Sequence, residues 1–244
     1  GEASGIALYI HIPFCIAKCA YCDFNSYAHL DGLFEEYITA LAQEIGFAEH
    51  ASLRTVYIGG GTPTVLPLSL FARIFAAIEN KFATGLTTEI TVEANPGTVS
   101  LEELEGLRAL GANRLSLGIQ SFMDDELQML GRIHSQSDAR KAFQAARSAG
   151  FDNLSLDLLY GLPKQRLSSW QTSLGQAIAL QPDHLSLYCL TVESGTPLAN
   201  AITRGQLPPP DPDLAADMYE LAQDILASAG YTHYEISNWA RSPE

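Results

Sequence analysis

Apolar positions along this chain fall into two rhythms that take turns: short β-branched runs of strand length, and longer stretches repeating at helical spacing. ALYIHI (7–12) is the first run, and Pro13 ends it. Asp31 is suited to cap a helix in which Leu33, Tyr37, Leu41, Ala42 and Ile45 share one face, continuing to about residue 50. TVYI (55–58) runs straight into GGGTP (59–63) and a helix expected over 68–82. ITVEANPG repeats that form, with a strand reaching Glu93 or Asn95 and a helix over 100–110. RLSLGIQ (114–120) leads through polar residues into a helix ending near Ala149, and a helix over 167–180 separates NLSLDLLYG (153–161) from HLSLYCLTV (184–192). Residues 193–212, rich in Pro, Gly and Thr, read as a loop before a helix over 213–229. The last segment, THYEISNWARSPE, is strand-like and stops abruptly, as a truncated chain would.

Six strands thus alternate with helices, centred near residues 9, 57, 92, 117, 157 and 188. Such alternation implies a parallel sheet with right-handed connections, which a doubly wound sheet and a barrel both satisfy. The placement of polar and glycine residues favours the barrel. Cys15, Gly59 to Thr62, Glu93, Gln120, Asp157 and Cys189 stand at the C-terminal ends of their strands, the face where barrels assemble active sites. The expected fold class is α/β, an incomplete (β/α)6 TIM-like barrel with a mostly parallel sheet and outer helices. Residues 1–192 would form the partial barrel, and 193–244 an extension and the start of a C-terminal region.

Composition narrows the picture. Hydrophobic residues make up 47% of the 244, and charged residues 17%, as in an ordinary globular protein. Twenty-eight acidic against 14 basic residues give a net charge of −14, which argues against nucleic acid as a partner. With no apolar run of membrane-spanning length and no signal-like N-terminus, a cytoplasmic protein is expected.

The candidate chemistry starts at YIHIPFCIAKCAYCDFNS (9–26), where Cys15, Cys19 and Cys22 lie within one short loop. Three thiolates suit an iron–sulfur cluster or zinc, and a reducing compartment, better than disulfides. A structural zinc site would need a fourth ligand, for which His11 or His29 is available; a cluster with one open iron would not. Lys18 could offset the loop's negative charge or simply be solvated. GGGTP exposes peptide groups for hydrogen bonding and allows close approach to its backbone. Glu93, Gln120, Arg132 and Asp157 are polar groups that a barrel would aim at one cavity, where burial without a partner is costly. Cys189 reads as a small buried hydrophobe.

The CxxxCxxC spacing directly after a first strand resembles the radical S-adenosylmethionine (SAM) superfamily. The resemblance implies a 4Fe-4S cluster held by Cys15, Cys19 and Cys22, whose open iron chelates SAM and cleaves it reductively. It further implies that Gly60, Gly61 and Thr62 receive the methionyl amino group. Longer segments, VEANPG, LGIQSF, LGRIH and LDLLYGLP, are similar to those of the group containing oxygen-independent coproporphyrinogen III oxidase (HemN) and the heme chaperone HemW. On that resemblance Glu93, Gln120, Arg132 and Asp157 contact SAM, as do Tyr9, His11 and Tyr21. The oxidases continue CxxxCxxCxC; here the fourth cysteine is replaced by Phe24, the chaperone-like pattern. The implied role is heme chaperone, with oxidative decarboxylation of porphyrinogen propionates as the alternative. Heme or a porphyrin and a heme-acceptor protein are the implied partners. Chaperone-type members also carry an HNxxYW motif beyond their YEISNWA segment.

Overall fold

The computed structural model describes residues 5–241. Strand β1 (Ile6–Ile12) leads through β2 (Phe14–Cys15) and the cysteine loop to β3 (Tyr27–Ala28) and helix α1 (Phe34–Phe47). Then follow β4 (Leu53–Gly60), α2 (Leu68–Lys81), β5 (Glu89–Ala94), α3 (Leu101–Ala109) and β6 (Arg114–Gln120). Two helices, α4 (Asp124–Met129) and α5 (Gln136–Ser148), precede β7 (Asn153–Tyr160), α6 (Leu167–Ala179) and β8 (His184–Cys189). The described chain ends with α7 (Pro197–Thr203), α8 (Pro212–Ser228), β9 (Thr232–Glu235) and β10 (Asn238–Ala240).

β1, β4, β5, β6, β7 and β8 pair in parallel and in chain order, and β10 and then β9 extend the sheet antiparallel. A doubly wound sheet would reverse its strand order partway. Sequential order with right-handed crossovers instead puts the helices on one face and curls the sheet around the other. This is the expected α/β partial barrel, with β1 and β9 as its two edges.

Side chains alternate across the sheet. Ile10, Val56, Ile58, Val92, Leu115, Leu117, Leu154, Leu156, Leu185 and Leu187 are all buried, facing the helices as one continuous core. The positions between them are polar: Tyr57, Glu93, Ser116, Asp157 and Ser186 turn to the concave face. The three runs RLSLG, NLSLD and HLSLY carry this two-sided pattern in their sequence, leucine outward and polar inward.

Capping fixes where the helices begin. Ser100 and Ser135 form reciprocal capping boxes with Glu103 and Asp138, and Asp211 accepts from the N–H groups of Asp213 and Leu214. The α1 face is turned relative to expectation: Ile38 and Ile45 are its buried residues, while Tyr37 reaches the His11 carbonyl with its hydroxyl at 2.6 Å and Leu33 is exposed. Trp170 of α6, fully buried, donates its indole N–H to Met218 O of α8 at 2.8 Å.

Two local expectations need correction, and the strand-like reading of the C-terminal segment holds. Residues 197–203 form α7 instead of loop, because Thr196 caps the segment and Pro197 suits a first helical position. The strand-like C-terminal segment is a hairpin, joined to β8 and anchored by buried Trp239, which stacks on His233. Cys189 ends β8 exposed and faces the cavity, so it is not a core residue. Among the described residues no helix is long and apolar enough to cross a membrane.

Candidate functional site

The concave face encloses a cavity of about 1380 Å³. Cys15, Cys19, Cys22, Tyr21, Gly60, Gly61, Thr62, Glu93, Gln120, Arg132 and Asp157 all line it. Tyr9 and His11 stand outside that lining on edge strand β1, where Tyr9 stacks on Tyr57 and its hydroxyl meets His11 Nδ1 at 2.9 Å.

The cysteine loop is pinned at both ends and in its middle. β2 and β3 form a short parallel ladder that brings Cys15 opposite Ala28. Ala20 N–H donates to Leu130 O, and Leu198 N–H donates to Ala20 O, both at 2.9 Å. Gly131 makes this docking possible: its φ is +70°, and a Cβ there would stand 3.1 Å from Ala20 N. Tyr21 packs on a small second core of Leu130, Leu159, Leu162, Leu190 and Leu198. Burial raises its phenol pKa. Lys18 donates to Phe24 O and Ser26 O at 3.1 and 3.2 Å, so it staples the loop instead of projecting freely into solvent.

The glycine turn behaves differently from the simplest expectation. A Cβ at Gly59 would meet the Glu93 carboxyl at 2.8 Å, one at Gly60 the His11 ring at 2.7 Å, and one at Gly61 the Phe14 carbonyl at 2.6 Å. The space freed by the three glycines is thus occupied by protein. The N–H groups of Gly60, Gly61 and Thr62 are also engaged, on Glu93 Oε2, Ile12 O and Phe14 O. With its N–H groups engaged, and Thr62 O accepting from Val65 N–H at 3.0 Å, the turn's remaining offer to a ligand is the carbonyl oxygen of its glycines, which suits an ammonium donor.

Across the cavity, Glu93 accepts from Tyr57 O–H at 2.7 Å and from Gly60 N–H at 3.0 Å. Asp157 accepts from Ser116 at 3.2 Å, and burial, aided by the Glu93 charge, raises its pKa to about 6. Gln120 has φ +70° at a register shift in β6, a strained conformation for a residue with a side chain. Arg132 is clamped by Nη2 on Gly118 O, and its buried Nε has no partner.

Four contributors escaped the reading of single residues. Tyr57, Ser116 and Ser186 were signalled by polar positions alternating with apolar ones. His134, in LGRIH, bonds Asn95 Oδ1 and Ile119 O at 3.1 Å and ties the β5 and β6 ends together beside Arg132.

These groups set a pH dependence. Burial pushes His134 and His184 each from 6.5 down to about 4. Their stabilising effect is full above about pH 6.5 and is lost as pH falls toward 4, because the unfolded chain binds those protons more readily. Asp157 works in the opposite direction, gaining stability on protonation below about 6. Two histidines outweigh one carboxyl, so the urea midpoint should be lower at about pH 4.5 than at about pH 7. An unchanged or higher midpoint at the acid value would contradict these environments.

The donor set fits a cluster with SAM. Among the described residues no three His, Cys, Asp or Glu side chains converge tightly enough for a single metal ion. His11 already uses both ring nitrogens, on Tyr9 and Asn25 O, so it does not complete a zinc site. Three soft sulfurs in one cavity lining are the donor type that iron–sulfur clusters take. The adjoining wall offers carboxylates to a sulfonium, ammonium or ribose hydroxyl, and a guanidinium to a carboxylate.

Residues 9–175 match the sequence model of the Radical SAM superfamily, and the chain belongs to that superfamily. Its relatives include the heme chaperone HemW of Synechocystis, 41% identical over 243 residues, and that of Bacillus subtilis, 42% identical over 240. These alignments cover 96% of this chain and 59% and 63% of the relatives, so the chain spans about three fifths of their length. The solved structure of coproporphyrinogen III oxidase (HemN) from Escherichia coli, described as a radical SAM enzyme, superposes with a TM-score of 0.88 at 30% identity. It covers 98% of this chain and 56% of the oxidase.

Proposed function

We propose that this chain binds a 4Fe-4S cluster through Cys15, Cys19 and Cys22, with SAM beside it, and serves a heme chaperone of the HemW type. The observation that carries the cofactor reading is the convergence on one cavity of those cysteines with Glu93, Gln120, Arg132 and Asp157. When bound, the cluster and SAM together supply one-electron reductive chemistry; the chain supplies the pocket. In this reading the carbonyls of the glycine turn hold the methionyl amino group. Arg132 faces the carboxylate, while Glu93 and Asp157 take the ribose hydroxyls and balance the sulfonium charge.

The chaperone role is favoured by the names of the relatives and by Phe24, which stands 65% exposed in the cavity lining where an oxidase loop would present a fourth cysteine. The partners are then heme or a porphyrin, and a heme-acceptor protein. The oxidase likeness supports a second reading, decarboxylation of porphyrinogen propionates. Anaerobic incubation of the full-length, cluster-reconstituted protein with coproporphyrinogen III, reductant and SAM separates the two. Heme retained through gel filtration without porphyrinogen turnover is the expected result; sustained protoporphyrinogen formation would overturn the chaperone assignment.

A further inference from the structure

Each of the three loop cysteines has a hydrogen-bonding side chain beside its sulfur, and Ser26 is shared between Cys22 and Cys15. Thr62 Oγ1 donates to Cys15 Sγ at 3.6 Å, Arg132 Nη1 donates to Cys19 Sγ at 3.3 Å, and Ser26 Oγ lies 3.8 Å from Cys22 Sγ. The donors come from three places: the turn after β4, the corner between α4 and α5, and the loop itself. The single Ser26 hydroxyl hydrogen reaches Phe24 O at 3.4 Å as well as Cys22 Sγ; a deprotonated sulfur can only accept, so beside a metal-bound Cys22 the hydroxyl can turn to donate to it. Ser26 is 2% exposed, and Arg132 is held in place by its second contact, on Gly118 O. In so shielded a setting each contact is felt more strongly than it would be in water.

We propose that Thr62, Arg132 and Ser26 form a set of donors to the three cysteine sulfurs that sets the reduction potential of the cluster, an inference that rests on the cluster assignment above. The reduced cluster carries one more negative charge than the oxidised one, and hydrogen bonds to its sulfurs favour the more negative state. The set therefore raises the potential, and removing a donor lowers it. Arg132, which also brings a positive charge, has the largest effect. These are positioning and tuning residues toward the cluster, whatever contacts Thr62 and Arg132 also make to SAM.

The test is the midpoint potential of the reconstituted cluster without SAM, read by redox titration with absorbance and electron paramagnetic resonance, alongside iron and sulfide analysis. Arg132→Met should shift the one-electron reduction equilibrium about tenfold toward the oxidised form, ~59 mV. Thr62→Val and Ser26→Ala should shift it less, in the same direction. Thr62→Ser, which keeps the hydroxyl, should stay within about twofold of wild type. Full iron content with unchanged potentials in Thr62→Val and Arg132→Met overturns the proposal. Should Arg132→Met fail to hold iron, the Thr62→Val and Thr62→Ser pair decides alone: a shift in the first only supports the set, and equal potentials overturn it. Wild-type protein that takes up no cluster defeats the cluster assignment and this inference with it; iron analysis identifies that case directly.

Discussion

Cys19→Ala is expected to leave the chain folded but unable to hold a cluster, with visible absorption and iron both falling to the level of unreconstituted protein. Cys19 is half-buried on the cavity rim, and its sulfur receives the Arg132 guanidinium. The neighbouring loop does not depend on that sulfur: it is fixed by the Ala20 and Leu198 backbone bonds and by Tyr21 on its small core. Removing Sγ costs little packing but takes away one of three protein ligands. It also leaves Arg132 Nη1 facing a void. Cys15→Ala and Cys22→Ala should behave alike, whereas Cys189→Ala, at the far end of β8, should keep its iron. Absorption retained in Cys19→Ala, or lost only in Cys189→Ala, would mean that the ligands are misassigned.

Glu93→Ala should weaken SAM binding by about 100-fold in cluster-loaded protein, on the order of 3 kcal/mol. The carboxylate does two things at once. It accepts from Tyr57 O–H and Gly60 N–H, holding the glycine turn against β5, and it places negative charge on the cavity wall. Alanine removes both and leaves two half-buried donors on the cavity wall without their acceptor. Glu93→Gln separates them: the amide oxygen can still accept from Gly60, and the Tyr57 hydroxyl can rotate to accept from the amide. That variant should therefore lose only about tenfold in affinity, reflecting the charge. Equilibrium dialysis with labelled SAM measures both. An Ala variant binding within about threefold of wild type would remove Glu93 from the cofactor site.

Much of this architecture was legible because its signals are local. Strand runs, glycine turns and caps are set by neighbours in sequence, and the parallel order followed from their alternation with helices. The concave face was legible too, in LSL repeated on β6, β7 and β8, though only when the serines are read as facing inward together. Contacts between distant residues were not. Arg132 reaches Cys19 across 113 residues, and nothing local announces that approach. His134 carries no local signal of its role, which arises only where β5 and β6 bring Asn95 and Ile119 around it. Glu126, in a run of acidic residues that reads as solvated, is buried and accepts from Ser121, Gln165 and Ser169. The glycine turn shows the reverse limit: the motif stands out in the sequence, yet the space its glycines free is filled by Glu93, His11 and Phe14.

The central claim is that the three cysteines and the acidic wall form one site for two cofactors that touch. Its most direct test is the electron paramagnetic resonance spectrum of the reduced, anaerobically reconstituted wild-type chain, recorded with and without SAM. One 4Fe-4S signal per chain that changes shape when SAM is added, and fails to change in Glu93→Ala at the same SAM concentration, is the predicted result. A cluster signal indifferent to SAM, or a chain that binds a single zinc ion in its place, would contradict the account.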